Sequence, residues 1–188
     1  MKTLILFSTA LILAMQVHAQ TLTADAAKSK ITWTANKVVG GGHTGSVSLN
    51  SGSLTVVGNI ITGGSFVINM KSITCSDISD KATNAQFIGH LHSDDFFSVA
   101  SHPTATLTIT ERASFLNNTT VIKGNLTIKG ITKPVSFTAT KNGKTYTAII
   151  PVNRTLYGIT YGSGSFFDNL GDNAINDEFI LDVNLLMK

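Results

Sequence analysis

One cysteine in 188 residues, a charged fraction of only 13%, and no long apolar run beyond the first few residues are the conspicuous shortages of this sequence. A lone Cys75 has no partner within the chain, so no internal disulfide staples the fold and stability must come from a packed core. A formal net charge of +3 is too small to build a phosphate-binding face by itself, which argues against a nucleic-acid partner despite a pI near 9.0. Crossing a bilayer as a helix takes roughly 20 consecutive apolar residues, and no stretch reaches that length, so stable membrane insertion is not expected. Catalytic signatures are missing as well: there is no Gly-x-Ser-x-Gly elbow, no Walker loop and no His-Glu-x-x-His helix.

What is present begins with an export leader. Lys2 supplies a positive start, Leu4 to Met15 an apolar run, and Val17-His18-Ala19 the small residues that a signal peptidase reads. Residues 1–19 are therefore expected to be removed, leaving 20–188 as one domain in the periplasm or outside the cell. No cysteine lies beside the cleavage site to take a lipid anchor.

Beyond the leader the apolar residues repeat with period two, the pattern of strands with one buried face. Ala105, Leu107 and Ile109 alternate with a ladder of threonines, and the same alternation runs through Ile122, Leu126 and Ile128; Val135, Phe137 and Ala139; Tyr146, Ala148, Ile150 and Val152; and Phe179 to Met187. Earlier strands carry Trp33, and Phe66 with Ile68 and Met70. Asn142-Gly143 marks a tight hairpin, Lys129-Gly130 a second, and Asn50-Ser51-Gly52 a third, between Val47–Leu49 and Leu54–Val56. Residues 73–99 break the pattern. Ala85, Ile88 and Leu91 share one side at helical spacing and Asp80 is available as an N-cap, predicting one or two short helices that cover one end of a barrel. About eight strands joined by tight turns make an antiparallel meander, which loses its exposed edges by closing. A sandwich is the alternative.

Few residues carry recognisable chemistry. His90 and His92, with Asp94 or Asp95, offer a zinc or copper set if the segment is extended; on a helix the two imidazoles diverge by about 200°. Cys75 has no spacing to any histidine that marks a pair, and reads as a small buried thiol. Val39-Gly40-Gly41-Gly42-His43 lacks the following helix of an anion-binding loop and reads as a strand connection. Seven basic residues and no acid lie between Arg112 and Arg154, and five acids and no base between Asp168 and Asp182: complementary solvated strands, or a cationic rim for an anionic head group.

Taken in order, His90-Leu91-His92-Ser93-Asp94-Asp95-Phe96-Phe97, then His102-Pro103-Thr104-Ala105-Thr106, then Lys123-Gly124-Asn125-Leu126-Thr127-Ile128-Lys129-Gly130-Ile131-Thr132-Lys133-Pro134-Val135 resemble the YceI-like family. Gly42-His43-Thr44-Gly45-Ser46-Val47 and Asn153-Arg154-Thr155-Leu156-Tyr157-Gly158-Ile159 extend the resemblance over nearly all of the exported portion. It implies a lipocalin-like antiparallel barrel, exported to the periplasm, with a polyisoprenoid or other long-chain lipid in its lumen and no enzymatic activity. Asn69 and Asn153 depart from the resemblance, since the family often carries Asp at both positions.

The reading that results is an all-β, lipocalin-like barrel that binds a long amphiphile, needing neither cofactor nor metal. Its lining is expected from Trp33, Phe66, Ile68, Leu107, Leu126, Phe137 and Ile150, with Arg154 either meeting the head group or bracing the fold through Asp168 or Asp172. Two rivals stand beside it: a metal-binding protein or metal-dependent enzyme centred on His90 and His92, and a scaffold with a filled core. A homodimer through the barrel rims is compatible with all three. Amino-terminal sequencing of the protein recovered from its host's periplasm or medium is expected to begin at Gln20; a start at Met1 would remove the leader.

Overall fold

The structure, a computed structural model, describes residues 18–188. The leader expected at residues 1–19 therefore lies almost wholly outside the described residues. From Gln20 on, ten strands form one antiparallel sheet: β1 (Gln20–Thr23), β2 (Lys30–Lys37), β3 (Gly42–Val57), β4 (Ile60–Cys75), β5 (Thr104–Ile109), β6 (Ala113–Ser114), β7 (Thr119–Ile128), β8 (Ile131–Asn142), β9 (Thr145–Asn153) and β10 (Ile175–Leu186). Eight of them close into a barrel in the order β3-β2-β10-β9-β8-β7-β5-β4, with β4 returning to β3; β1 and β6 are short extensions on β3 and β4. This is the closed barrel rather than the sandwich.

The period-two pattern decides which face turns inward. Ile31 and Trp33 on β2, Phe66 and Met70 on β4, Ala105 and Ile109 on β5, Ile122, Leu126 and Ile128 on β7, and Tyr146, Ile150 and Val152 on β9 are all buried, while residues between them such as Thr32, Thr108 and Lys123 are exposed. In the two longest strands the phase slips. Val47 and Leu49 point inward, and so do Leu54 further along β3, an interval of odd length that strict alternation forbids. A shift in the β3–β4 register between Leu49 and Ser51 accounts for it, and another between Ser46 and Ser48 faces the matching slip from Met70 to Ile73 on β4. Extra residues of this kind bend a strand, as closure of a small barrel demands.

The turn expected at Asn50-Ser51-Gly52 is thus corrected: β3 runs unbroken from Gly42 to Val57, and the bend there is a bulge. Its chain reverses instead at Gly58-Asn59, where Gly58 has a positive φ. Lys129-Gly130 forms the expected two-residue turn, with φ of 51° and 73°. The β8–β9 hairpin loop lies one residue later than expected, at Gly143-Lys144, since Asn142 pairs with Thr145 and closes the ladder.

Between β4 and β5, helix α1 (Lys81–His92) is capped by Asp80, whose Oδ1 accepts from the Thr83 amide at 2.8 Å and its hydroxyl at 2.7 Å. The helix face that reaches the barrel differs from the expected one. Phe87 and Leu91 turn to the interior, while Ala85 and Ile88 line a separate shallow recess with Ile78 and His92. Two 3-10 turns, Arg154–Tyr157 and Gly171–Asn173, lie in the β9–β10 connection at the same end.

Trp33 anchors that end from within. Its indole lies beside Gly45, the residue opposite it on β3, and Nε1 donates to the Thr74 carbonyl at 3.1 Å. A Cβ at Gly45 would collide with the Thr74 carbonyl oxygen and approach the Trp33 ring to 2.7 Å. Gly45→Ala is therefore expected to destabilise the fold by about 1–3 kcal/mol through overpacking, lowering the melting temperature by about 2–4 °C per kcal/mol. A thermal melt unchanged from the parent would show that this contact is not tight.

Candidate functional site

Inside the barrel is a cavity of about 530 Å³, within the range of about 300–1,000 Å³ typical of small-molecule sites. Every strand of the closed barrel contributes to its wall, among them Leu54, Met70, Ala139 and Leu181. Trp33, Phe66, Ile68, Leu107, Leu126, Phe137 and Ile150 all line it, because each occupies the inward phase of its strand. Phe87, Leu91, Phe96, Phe97 and Phe179 complete the wall at the α1 end, with Trp33 and Phe87 ring centroids 6.5 Å apart. Sequence reasoning missed this aromatic cluster, since its members come from a helix, a loop and a strand that no single period joins.

Polarity along the lumen is uneven. Asn36, Lys37, His43, Arg154 and Asn176 line the cavity where β2 ends, β3 begins and β10 begins; Tyr146 and Thr147 on β9 are the lining residues that carry side-chain hydroxyls. The opposite end is closed by apolar side chains, including Leu54, Ile61 and Leu185. Around the polar end several large apolar side chains are exposed, notably Val38 and Val39 on the β2–β3 connection and Phe166 and Phe167 on the β9–β10 connection. The two connections are tied by a hydrogen bond from the Val38 amide to the Ala174 carbonyl, 2.8 Å.

Arg154 touches the lumen, yet its donors face the protein. It is 4% exposed; Nε donates to the Asn176 carbonyl at 3.0 Å, Nη1 to those of Ile159 and Tyr161 at 2.9 and 2.8 Å, and Nη2 to that of Ile175 at 3.1 Å. Nη2 also lies 3.7 Å from Asp177 Oδ1. This is the geometry of a brace, with Asp177 as its acidic partner in place of Asp168 or Asp172. It clamps the connection after β9 onto the start of β10, and the planar five-donor fork suits that task as an ammonium would not. Burial weakens the guanidinium's hold on its proton, while Asp177 opposes that effect. Asn69 and Asn153 lie off the cavity wall and serve the backbone locally: Asn69 accepts from the Lys71 amide, and Asn153 caps the 3-10 turn by accepting from the Thr155 amide and hydroxyl.

The histidine pair behaves as a helical pair must. His90 Nε2 lies 3.3 Å from Asp95 Oδ2, and its ring meets Phe96 and Tyr161 edge-on; His92 points to the shallow recess, where its Nε2 is buried without a hydrogen-bond partner. Since both sit in α1, they diverge, and among the described residues the two join no group of three metal-ligating side chains. A different trio does converge among the described residues: His43, Cys75 and Asp77, with their ligating atoms all within 4.8 Å of one another. Cys75 is the small buried thiol that was expected; its hydrogen-bond partner is Asp77, and the β3–β4 ladder brings His43 near both, which no sequence spacing marked.

An antiparallel barrel closed around an apolar cavity, with most of its polar lining groups gathered at one end, defines a class of hollow β-barrel proteins. Residues 22–187 match the YceI-like domain, so the chain belongs to the YceI-like family. Among solved structures it is similar to BcnA of Burkholderia cenocepacia, with a TM-score of 0.60 at 22% identity over 86% of this chain and 98% of that one. It is also similar to a polyisoprenoid-binding domain from Saccharophagus degradans implicated in plant cell wall breakdown, with a TM-score of 0.60 at 14% identity over 91% and 99%. At those identities the likeness is one of fold. Curated relatives include a UPF0312 protein of Azotobacter vinelandii, 48% identical over 50 residues, which are 27% of this chain and 26% of that protein. One from Pseudomonas aeruginosa is 36% identical over 83 residues, 40% and 43% of the two chains. The matched stretches thus span less than half the length of these relatives.

The Arg154 brace generates a pH prediction. Hydrogen bonds from Ser163 and Ser165, with the Arg154 charge behind them, outweigh burial and hold the Asp177 carboxyl below its ordinary value of 3.8. A carboxylate depressed in the folded state contributes stability that is present above the unfolded value and lost as pH falls through the folded one. Unfolding free energy is therefore expected to decline below about pH 4 with a component that Asp177→Asn removes. Arg154→Gln, which strips donors from buried carbonyls, is expected to cost about 3–5 kcal/mol in denaturant melts; a cost under 1 kcal/mol would refute the brace.

Proposed function

We propose that this protein is an exported, non-catalytic carrier or store for a long-chain amphiphile, with a polyisoprenoid-like chain lying in the barrel. The observation that carries this reading is the cavity of about 530 Å³ with an almost continuous aliphatic and aromatic wall. A filled core would leave no such volume. Each methylene moved from water into that wall contributes about 0.8 kcal/mol, so a long hydrocarbon gains more from it than a compact polar metabolite. The similar fold of the domain described as polyisoprenoid-binding points the same way.

The polar end orients the guest. Arg154 spends its donors on backbone carbonyls, which leaves Lys37 at the end of β2 as the cation best placed to meet a carboxylate or phosphate head group. The exposed Val38, Val39, Phe166 and Phe167 beside it would shelter the chain as it enters. Export through the leader at residues 1–19 suits this role, since a periplasmic or extracellular carrier moves poorly soluble chains through water.

Native mass spectrometry of protein purified from its own host is expected to show a bound lipid that denaturation releases. Ala139→Phe, which fills the lumen from β8, is expected to weaken uptake of a fluorescent prenyl or fatty-acyl probe by about tenfold or more, a loss of about 1.4 kcal/mol. Lys37→Ala is expected to weaken an anionic amphiphile while sparing a neutral polyprenol. Equal binding of all probes by parent and Ala139→Phe would place the guest outside the barrel.

A further inference from the structure

The His43, Cys75 and Asp77 cluster lies where β3 begins and β4 ends, and the ladder itself assembles it. Gly45 pairs with Cys75, and the chain leaving β4 keeps to the edge of β3: the Ser76 amide donates to the Thr44 carbonyl at 2.9 Å, and Asp77 Oδ1 accepts from the Thr44 amide at 3.1 Å. His43 Nδ1 stands 2.9 Å from Asp77 Oδ2, and the Cys75 thiol donates to Asp77 Oδ1 at 3.1 Å. An imidazole nitrogen, a thiol sulfur and a carboxylate oxygen thus lie within 4.8 Å of one another. Their surroundings hold them there. Asn84 on α1 donates to the carbonyls of Cys75 and Ile78, 2.9 Å each, locking the loop that carries Asp77, and the His43 ring packs on Phe87 with centroids 4.4 Å apart.

We propose that His43, Cys75 and Asp77 form a binding site for a single borderline transition-metal ion, Zn²⁺ in the first instance, at the polar end of the barrel. The donor set is the argument. A sulfur with an imidazole disfavours Mg²⁺ and Ca²⁺, which take oxygen, and three protein ligands leave a tetrahedral ion one position for water. The ligand atoms are already within 4.8 Å of one another, so only small side-chain rotations separate the hydrogen-bonded cluster from coordination at about 2.0–2.3 Å. On binding, the Zn²⁺–sulfur bond forms as the thiol S–H bond breaks; the proton leaves to solvent and no electron is transferred. Asp77 and His43 exchange their mutual hydrogen bond for the ion. The Thr44 amide and Asn84 then act as the outer support that keeps ligands aimed. Because His43 lines the lumen and touches Phe87, the ion would fasten α1's connection to β3 beside the opening.

The test is titration of the purified, chelator-stripped protein with Co²⁺, followed by displacement with Zn²⁺. One equivalent of Co²⁺ is expected to produce a sulfur-to-cobalt charge-transfer band that Zn²⁺ abolishes, and saturating Zn²⁺ is expected to raise the melting temperature. His43 is 39% exposed, so His43→Ala is the variant least apt to disturb folding; it is expected to lower affinity by more than about tenfold, and Asp77→Asn likewise. His90→Ala, in the other histidine cluster, is expected to leave affinity unchanged. Absence of the band at saturating Co²⁺, or a His43→Ala protein that binds as tightly as the parent, would overturn the proposal, as would loss of binding in His90→Ala. None of these outcomes depends on whether a lipid occupies the lumen.

Discussion

The pairing of β3 with β4 is the constraint on which the rest of the molecule depends. The other pairings run from β3 through β2 and β10 round to β4, but without the return of β4 to β3 that sheet would have two open edges. Both strands are 16 residues long, and β3 carries more than one duty: its first half pairs with β2, its second half with β1, and most of its length with β4. A strand with so many partners must bend, and the register shifts supply the bend. Closure then makes one inside from eight separate apolar faces, which is what turns an amphipathic pattern into a lumen.

The same pairing organises the polar end. By extending past Cys75 along the edge of β3 it brings Asp77 to His43, and it sets the Thr74 carbonyl where the Trp33 indole can reach it. Beyond β2, Arg154 performs the matching task for β9 and β10 by donating to four backbone carbonyls. Both ends of the rim are thus held by hydrogen bonds, while the wall between them is held by apolar contact. An open lumen forgoes side-chain packing across its centre, so rigidity comes from the ladder and from its edges.

Much of this was legible in the sequence. Period two identified the inward residues of β5, β7, β8, β9 and β10, and the seven expected lining residues do face the cavity. Asp80 marked the start of α1, and Lys129-Gly130 marked a turn by its tolerance of positive φ. Failures came where a local signal was outvoted from a distance. Ser51-Gly52 has the composition of a turn, but β4 runs alongside it and holds the backbone extended. Ala85, Ile88 and Leu91 have helical spacing, yet the rotation of α1 was decided by Phe87, whose ring finds Trp33 and His43. Arg154 carries no local sign of its partners, since its acceptors lie up to 22 residues away.

The sequence by itself determined the fold class, the number and phase of most strands and the helical insertion, because these follow from nearest neighbours and from short periods, while the order of its motifs carried the resemblance to the family. Tertiary structure alone decided that the lumen is open, that Arg154 braces instead of reaching inward, and that Cys75 meets a histidine and an aspartate. The reason is physical: a period tells which way a side chain points, but the width of a barrel and the company at its rim depend on which strands pair, in what register, across long separations in the chain.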